Sequence, residues 1–397
     1  MKKFLCLALV LVLIVGCFAA CGKKAEEPAT TPAADATPEA AAPAAGAFKL
    51  GGVGPLTGDA AIYGTAAMNG AQIAVDEINA LGGDIQFAFK AEDDVADGET
   101  SVNAYNSLLD WGMQVMVGPV TTGAAIAVSA EAYADRVFCL TPSASSTDVI
   151  KDKDNMFQVC FTDPNQGVGA ADYIAEKMNG SKVAIIYRND DAYSQGIRDT
   201  FVAEAKTKSV EVVYEGTFTA DTATDFSVQL TGAQAAGANL VFLPIYYQPA
   251  SVILKQASDM GFAPTFYGVD GMDGILTMEG FDPALAEGVM LLTPFSADAG
   301  DDMTKAFVAT YTKKYGETPN QFAADGYDAV YIIYKALEAA GCTSDMSAAD
   351  ICEALVAVMP TISVDGLTGQ AMTWAATGEV AKAPMAVIIK GGVYVTP

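Results

Sequence analysis

The chain has 397 residues, with 22 Lys or Arg, 48 Asp or Glu and no His, for a formal net charge of −26. The lack of histidine excludes Ser–His–Asp and Cys–His nucleophiles, His-liganded zinc and histidine acid–base chemistry. So acidic a chain disfavours nucleic acid and anionic lipid headgroups as partners.

Lys2 and Lys3 precede the uncharged apolar run FLCLALVLVLIVGCFAA. A positive start, an apolar stretch and then small residues form an export signal, too short and wrongly flanked for a stable membrane span. Its end, FAACGKK, looks like the lipobox of a bacterial lipoprotein, in which a peptidase cuts ahead of a cysteine that then carries lipid. Ala19 and Ala20 precede that cysteine, Cys21; Phe18 departs from the usual Leu, and Cys17 in IVGC is the alternative. A signal over residues 1–20 and lipidation at Cys21 are therefore expected. Residues 21–47 are almost wholly Ala, Pro, Thr, Glu and Asp. Such a segment buries too little apolar surface to offset its chain entropy and is expected to act as a disordered tether. The remaining ~350 residues suffice for two lobes with their own cores.

From Phe48 the chain alternates strand and helix. FKLGGVG is a strand, AAMNGAQIAVDEINALGG a helix with a Gly-Gly stop, and IQFAFKAEDD a strand. SVNAYNSLLDWG is a helix, QVMVGPV a strand, TGAAIAVSAEAYADR a helix and VFCLTP a strand. After DPNQG the pattern restarts with the helix GVGAADYIAEKM and the strand KVAIIY. Helices YSQGIRDTFVAEAKTK, FSVQLTGAQAAG and ASVILKQASDMG then alternate with strands EVVYEGTF, ANLVFLPIYY and PTFYGVDG. Helices over Met303–Tyr315, Gln321–Ala340 and Ala348–Val358 follow, and the chain closes on strands MAVIIK and GVYVT. Repeated strand–helix units predict parallel sheets covered on both faces, in two consecutive α/β lobes. Cys139 and Cys160 lie in apolar strand-like runs and are expected to be buried. Cys342 and Cys352 flank a turn and a helix start, where a disulfide or two free thiols are both open. No cofactor or metal is expected: GGVGPLTG has Thr57 at the third glycine of a dinucleotide loop and Pro55 interrupting it, and CxxC pairs and phosphate loops are absent from the sequence.

Ligands of open parallel sheets sit outside the carboxyl ends of strands. The strand-end loops here are GPLTGDAAIYG, GPVTTG, TPSASS, RNDDAYSQG, PIYYQP and YGVDGMDG. Glycine in such loops permits close approach, hydroxyls and amides suit a carboxylate, and aromatic rings make walls. Taken singly, each has a plainer reading. Thr122 is a helix N-cap, Ser143 and Ser145 a turn, Tyr193 and Tyr246 packing residues, and Asp270 a turn aspartate.

In this order and spacing the loops, together with AVDEINALGG, ILKQASDMGF and QFAADGYDAVY, resemble a family: the periplasmic substrate-binding proteins of branched-chain amino-acid ABC transporters, of the leucine/isoleucine/valine-binding type. The likeness runs from about Lys49 to the C-terminus. It implies a type I periplasmic binding protein fold: two Rossmann-like, doubly wound lobes joined by three crossovers. One lobe would take residues 48–162 and about 293–377, the other 163–292 and about 378–397. Together with the lipobox it implies an extracytoplasmic, lipid-anchored monomer that captures a small amino acid between the lobes and hands it to an ABC permease, with no enzymatic activity. A ligand sensor, or a binder of amides, ureas or aromatic solutes on the same fold, is the alternative.

The resemblance assigns site residues. Thr122, with Thr121 beside it, falls where a hydroxyl binds the ligand carboxylate. Ser143 falls where a carbonyl meets the ammonium, and Ser145 where an amide and a hydroxyl meet the carboxylate, with small Ala144 letting the loop approach. Tyr193 and Tyr246 are the second-lobe tyrosines, Asp270 the acidic partner of the ammonium, and Tyr63 and Phe322 aromatic walls. The sequence departs from the family in three places. The disulfide near Ala96 and Thr121 lacks both cysteines, Asp270 replaces Glu, and Ser145 replaces Thr.

Overall fold

The computed structural model describes residues 46–382 and 384–397. The expected signal, the lipidation site at Cys21 or Cys17 and nearly all of the tether lie outside the described residues. Among the described residues no helix is long and apolar enough to cross a membrane.

The first half runs β1 Phe48–Gly54, α1 Ala61–Ala80, β2 Phe87–Asp93, α2 Gly98–Trp111, β3 Val115–Val117, α3 Thr122–Asp135, β4 Phe138–Thr141 and β5 Met156–Gln158. The second runs α4 Asp163–Lys177, β6 Lys182–Arg188, α5 Ala192–Thr207, β7 Glu211–Phe218, α6 Ser227–Ala235, β8 Leu240–Leu243, α7 Tyr247–Met260, β9 Thr265–Gly268 and β10 Met290–Thr293. Helices α8 Asp302–Tyr315, α9 Gln321–Ala340 and α10 Ala348–Val358 and strands β11 Met385–Lys390 and β12 Val393–Val395 complete the chain.

The first sheet is parallel throughout, in the order β2-β1-β3-β4-β5. The second has the order β12-β11-β10-β9-β8-β6-β7, parallel from β7 to β10, with β11 and β12 added antiparallel. Its parallel part repeats the order of the first. In each, the chain switches sides next to its first strand, between β1 and β3 and between β6 and β8, which opens a crevice there. Two short strands, β5 and β10, escape the strand–helix alternation of the sequence. A 3-10 turn at Thr147–Val149, not a helix, lies between β4 and β5, and three such turns lie between β9 and β10.

The helix ends follow local rules. Side chains of Asp97, Asp191, Asp301, Asn320 and Ser347 accept backbone N–H groups at helix starts, and left-handed Gly112, Gly261 and Gly341 close helix ends. One face of the first sheet packs on α1, α9 and α10, the other on α2 and α3. Cys342 and Cys352 are buried free thiols, so the disulfide alternative is not realised; Cys139 and Cys160 are likewise buried and free. Where the chain passes between the sheets, the buried Lys382 ammonium donates to the Val159 carbonyl at 3.0 Å and to Thr368 Oγ1 at 2.6 Å and pairs with Asp325 at 3.3 Å. That single cation ties two connecting segments to α9.

Candidate functional site

The first-lobe wall begins with α1 and α9. These helices approach closely because Gly70 and Gly326 face each other's backbones: a Cβ at Gly70 would strike the Ala323 carbonyl, and one at Gly326 the Ala67 carbonyl. The close crossing sets Tyr63, early in α1, against Phe322, early in α9, with ring centroids 4.4 Å apart. Beside them is the loop after β3. Thr121, not Thr122, is the N-cap of α3, and its side chain makes no capping bond. Its hydroxyl is buried without a partner. The start of α3 therefore keeps backbone N–H groups of the kind that attract a carboxylate.

The serine loop after β4 is braced from within. Thr141 Oγ1 donates to the Pro119 carbonyl at 2.6 Å and accepts from the Ala144 amide at 2.9 Å. Ser143 donates to the Val120 carbonyl at 2.7 Å. Gln158 donates from behind to the Ala144 and Ser146 carbonyls at 2.8 and 3.1 Å.

The second-lobe wall comes from three strand ends. Asp191 caps α5 and sets Tyr193 within its first turn, and Tyr246 is the N-cap of α7. The two tyrosine rings stack at 4.9 Å. Asp270 opens a 3-10 turn after β9 and is 4% exposed. Its Oδ1 accepts from the Tyr193 hydroxyl at 2.6 Å, while the Gly271 amide donates to that same hydroxyl at 2.9 Å. The Asp270 amide donates to Gln166, and its carbonyl accepts from Gln321. Across the cleft, the Tyr63 hydroxyl donates to the Gly271 carbonyl and accepts from the Tyr247 amide at 3.0 Å. A first-lobe tyrosine thus holds two backbone groups of the second lobe.

Tyr63, Thr121, Thr122, Ser143, Tyr193, Tyr246, Asp270 and Phe322 converge on one small cavity. Its volume, about 10 Å³, is the space of a single water. Ala144 and Ser145 do not line it. Ala144 is fully buried in the first-lobe core, and the Ser145 hydroxyl turns away to Asp163 Oδ1 at 2.7 Å. The reason is local: Asp163 is buried at the start of α4, and a buried carboxyl must find a donor. Val120 and Gly271 complete the lining. Val120 falls inside GPVTTG and Gly271 inside YGVDG, but Gly271 acts through its backbone, which no side-chain pattern announces. Tyr247, Gln166 and Gln321 were likewise unforeseen; each serves through a contact reached only by folding.

Burial dominates the electrostatics. It pushes the Asp270 carboxyl up to about 6, although the hydrogen bonds from Tyr193 and Gln166 pull the other way. It raises Asp163 and Asp273 too, and Asp325 to about 7 despite Lys382. The Tyr63, Tyr193 and Tyr246 hydroxyls are driven well above their usual range by the same cause, so they act as neutral donors and acceptors. The site is a desolvated acid on one lobe facing hydroxyls and a helix start on the other. Among the described residues no acidic or cysteine cluster could hold a metal ion.

The family model described as periplasmic binding protein matches residues 47–389. A Leu/Ile/Val-binding protein homologue of Brucella melitensis is 30% identical over 303 residues, covering 75% of this chain and 81% of the relative. The crystal structure of the branched-chain amino acid transporter substrate-binding protein LivJ of Streptococcus pneumoniae, in complex with isoleucine, is 30% identical. It superposes with a TM-score of 0.78 over 88% of this chain and 99% of that one. A leucine-binding protein LivK of Thermotoga maritima is 25% identical, with a TM-score of 0.79 over 88% and 97%. With its two doubly wound sheets and a cleft at their strand ends, this chain belongs to the periplasmic binding protein family.

Proposed function

We propose that the protein captures a neutral, aliphatic α-amino acid between its lobes and delivers it to an ABC permease. The observation that carries this reading is Asp270. It is a carboxyl removed from water, with no ion pair among the described residues, facing the unpartnered Thr121 hydroxyl and the start of α3. An amino acid carries both charges that such a cleft lacks. Its ammonium would pair with Asp270, and its carboxylate would meet Thr121, Thr122 and the α3 amides. Tyr63, Tyr193, Tyr246 and Phe322 would enclose the side chain. Relatives named for leucine, isoleucine and valine support the aliphatic class. A cavity of about 10 Å³ is far smaller than an amino acid, so entry requires the lobes to part.

In this reading the lobes comprise residues 48–162 with about 293–377, and 163–292 with about 378–397. The protein works outside the cytoplasm as a lipid-anchored monomer and catalyses no reaction. Calorimetry of the purified protein with leucine, isoleucine and valine tests it. Loss of one partner of a desolvated charge pair costs about 2–5 kcal/mol, so Asp270→Asn should weaken binding by roughly thirtyfold to a few thousandfold. Wild-type affinity in that variant would overturn the ammonium assignment and favour an amide, urea or aromatic solute.

A further inference from the structure

Next to the small cavity lies a much larger one, of about 390 Å³. The two share Thr121 and Tyr246, which form the doorway between them. The chamber sits over both switch points. Ala60 follows β1 and Thr121 follows β3; Arg188 ends β6 and Ile245 follows β8. Crevices at such points are where open α/β sheets take their ligands.

Its lining has a definite chemistry. Val95, Ala96, Phe218 and Ile245 supply apolar wall. Arg188 is the one cationic side chain of the lining and is 33% exposed. Its Nε donates to Asp190 at 2.7 Å, and the remaining guanidinium N–H groups find no acceptor among the described residues. Asp190 and Asp191 are already engaged by the Ala220 and Ser194 amides at 3.1 and 3.2 Å. The Thr121 hydroxyl, 5% exposed by residue and without a partner, stands in the doorway.

These groups select against charge. Asp59, Asp190 and Asp191 outnumber Arg188, so an anionic group is repelled on balance. A cationic group would offer the free guanidinium N–H groups no acceptor and would meet their like charge, while Asp190 and Asp191 already accept the Ala220 and Ser194 amides. A neutral acceptor satisfies the free guanidinium N–H groups with no such conflict.

We propose that this chamber is an outer subsite of the cleft, which takes the far end of an elongated, uncharged amino-acid side chain ending in a hydrogen-bond acceptor, such as an amide carbonyl, with Arg188 as its donor. The proposal rests on the amino-acid reading of the inner cavity. Leucine would fill only the inner part; a longer side chain would pass Thr121 and Tyr246.

Calorimetry of the full chain with leucine, citrulline, Nε-acetyllysine, 2-aminoadipate and arginine provides the test. Citrulline and Nε-acetyllysine should bind at least as tightly as leucine, and the two charged probes more weakly. Arg188→Ala should weaken Nε-acetyllysine by about ten- to a hundredfold while shifting leucine by no more than about twofold. Arg188→Lys, which keeps a donor, should recover part of that loss. Leucine binding without the elongated amides, or an equal effect of Arg188→Ala on both, would overturn the outer subsite alone. Preference for 2-aminoadipate or arginine would overturn the uncharged class. Failure of every amino acid to bind would overturn the amino-acid reading itself.

Discussion

The two walls of the cleft are built differently. On the first lobe, the serine loop spends two hydroxyls on its own neighbours, Thr141 on Pro119 and Ser143 on Val120, while Ser145 reaches Asp163 at the start of α4. Behind it, α1 and α9 lock at their facing glycines. On the second lobe, the loop around Asp270 takes partners from elsewhere. Tyr63 holds the Gly271 carbonyl, Gln321 the Asp270 carbonyl, and Gln166 the Asp270 amide. Tyr63 and Gln321 both belong to helices that carry the first-lobe wall. The contrast separates a wall braced mainly from within from one braced in part by the facing helices α1 and α9. In the proposed reading, these contacts couple ligand recognition to the closing of the lobes.

The sharpest way to break the contrast is to spoil the wall braced mainly from within. Gly326→Val puts a branched side chain against the Ala67 backbone, which has no room to give. Overpacking of this kind costs about 1–3 kcal/mol, and a backbone clash belongs at the upper end. The expected outcome is a melting temperature lowered by several degrees in the ligand-free protein. Unaltered melting would mean that the helices part freely, and the first-lobe wall would lose its claim to rigidity.

Next in size is the link between the walls. Tyr63→Phe removes one hydroxyl and leaves the Gly271 carbonyl and the Tyr247 amide without their shared partner. At about 0.5–1.5 kcal/mol per hydrogen bond, the closed form should lose roughly 1–3 kcal/mol relative to the open one. Water reaches both groups when the lobes part, so the cost falls on closure more than on folding. Small-angle scattering of the ligand-free variant should give a larger radius than the wild type, with little change in melting. An unchanged radius would show that the Tyr63 bridge does not hold the lobes together.

The same contrast explains what could be read from the sequence. Long elements such as α1 and α9 show in their apolar spacing, and the aromatic and acidic side chains of the cavity sit in loops that the strand–helix alternation already places at strand ends. Beyond that, legibility depended on whether a residue acts alone. Tyr193, Tyr246 and Asp270 face the cavity through their own side chains. Ser145 belongs to the same kind of loop, yet its orientation is decided by Asp163, eighteen residues on, whose burial only the fold reveals. The strands β5 and β10 were hidden for a related reason. Each is short and follows 3-10 turns, so neither carries the helix that marks a parallel strand in the sequence.

The smallest expected effect is also the one whose sign discriminates best. Burial raises the Asp270 carboxyl to about 6, above its ordinary value of 3.8. A raised carboxyl favours folding while it is protonated. Its contribution is complete below the ordinary value and is lost as pH rises through about 6. Ligand-free protein should therefore become more stable as pH falls from 7 towards 5.5, and Asp325, raised to about 7, adds in the same direction. An ammonium ligand needs the opposite charge state. It binds the ionised carboxylate, so its affinity should be flat above the titration and should fall by about fourfold between pH 7 and 5.5. Stability without ligand and affinity for it would thus move in opposite directions over one pH range. Melting curves and calorimetry on the same samples measure both. A ligand whose affinity is constant across that range does not rely on an ionised Asp270, and the second-lobe wall would then recognise shape and hydrogen bonds in place of charge.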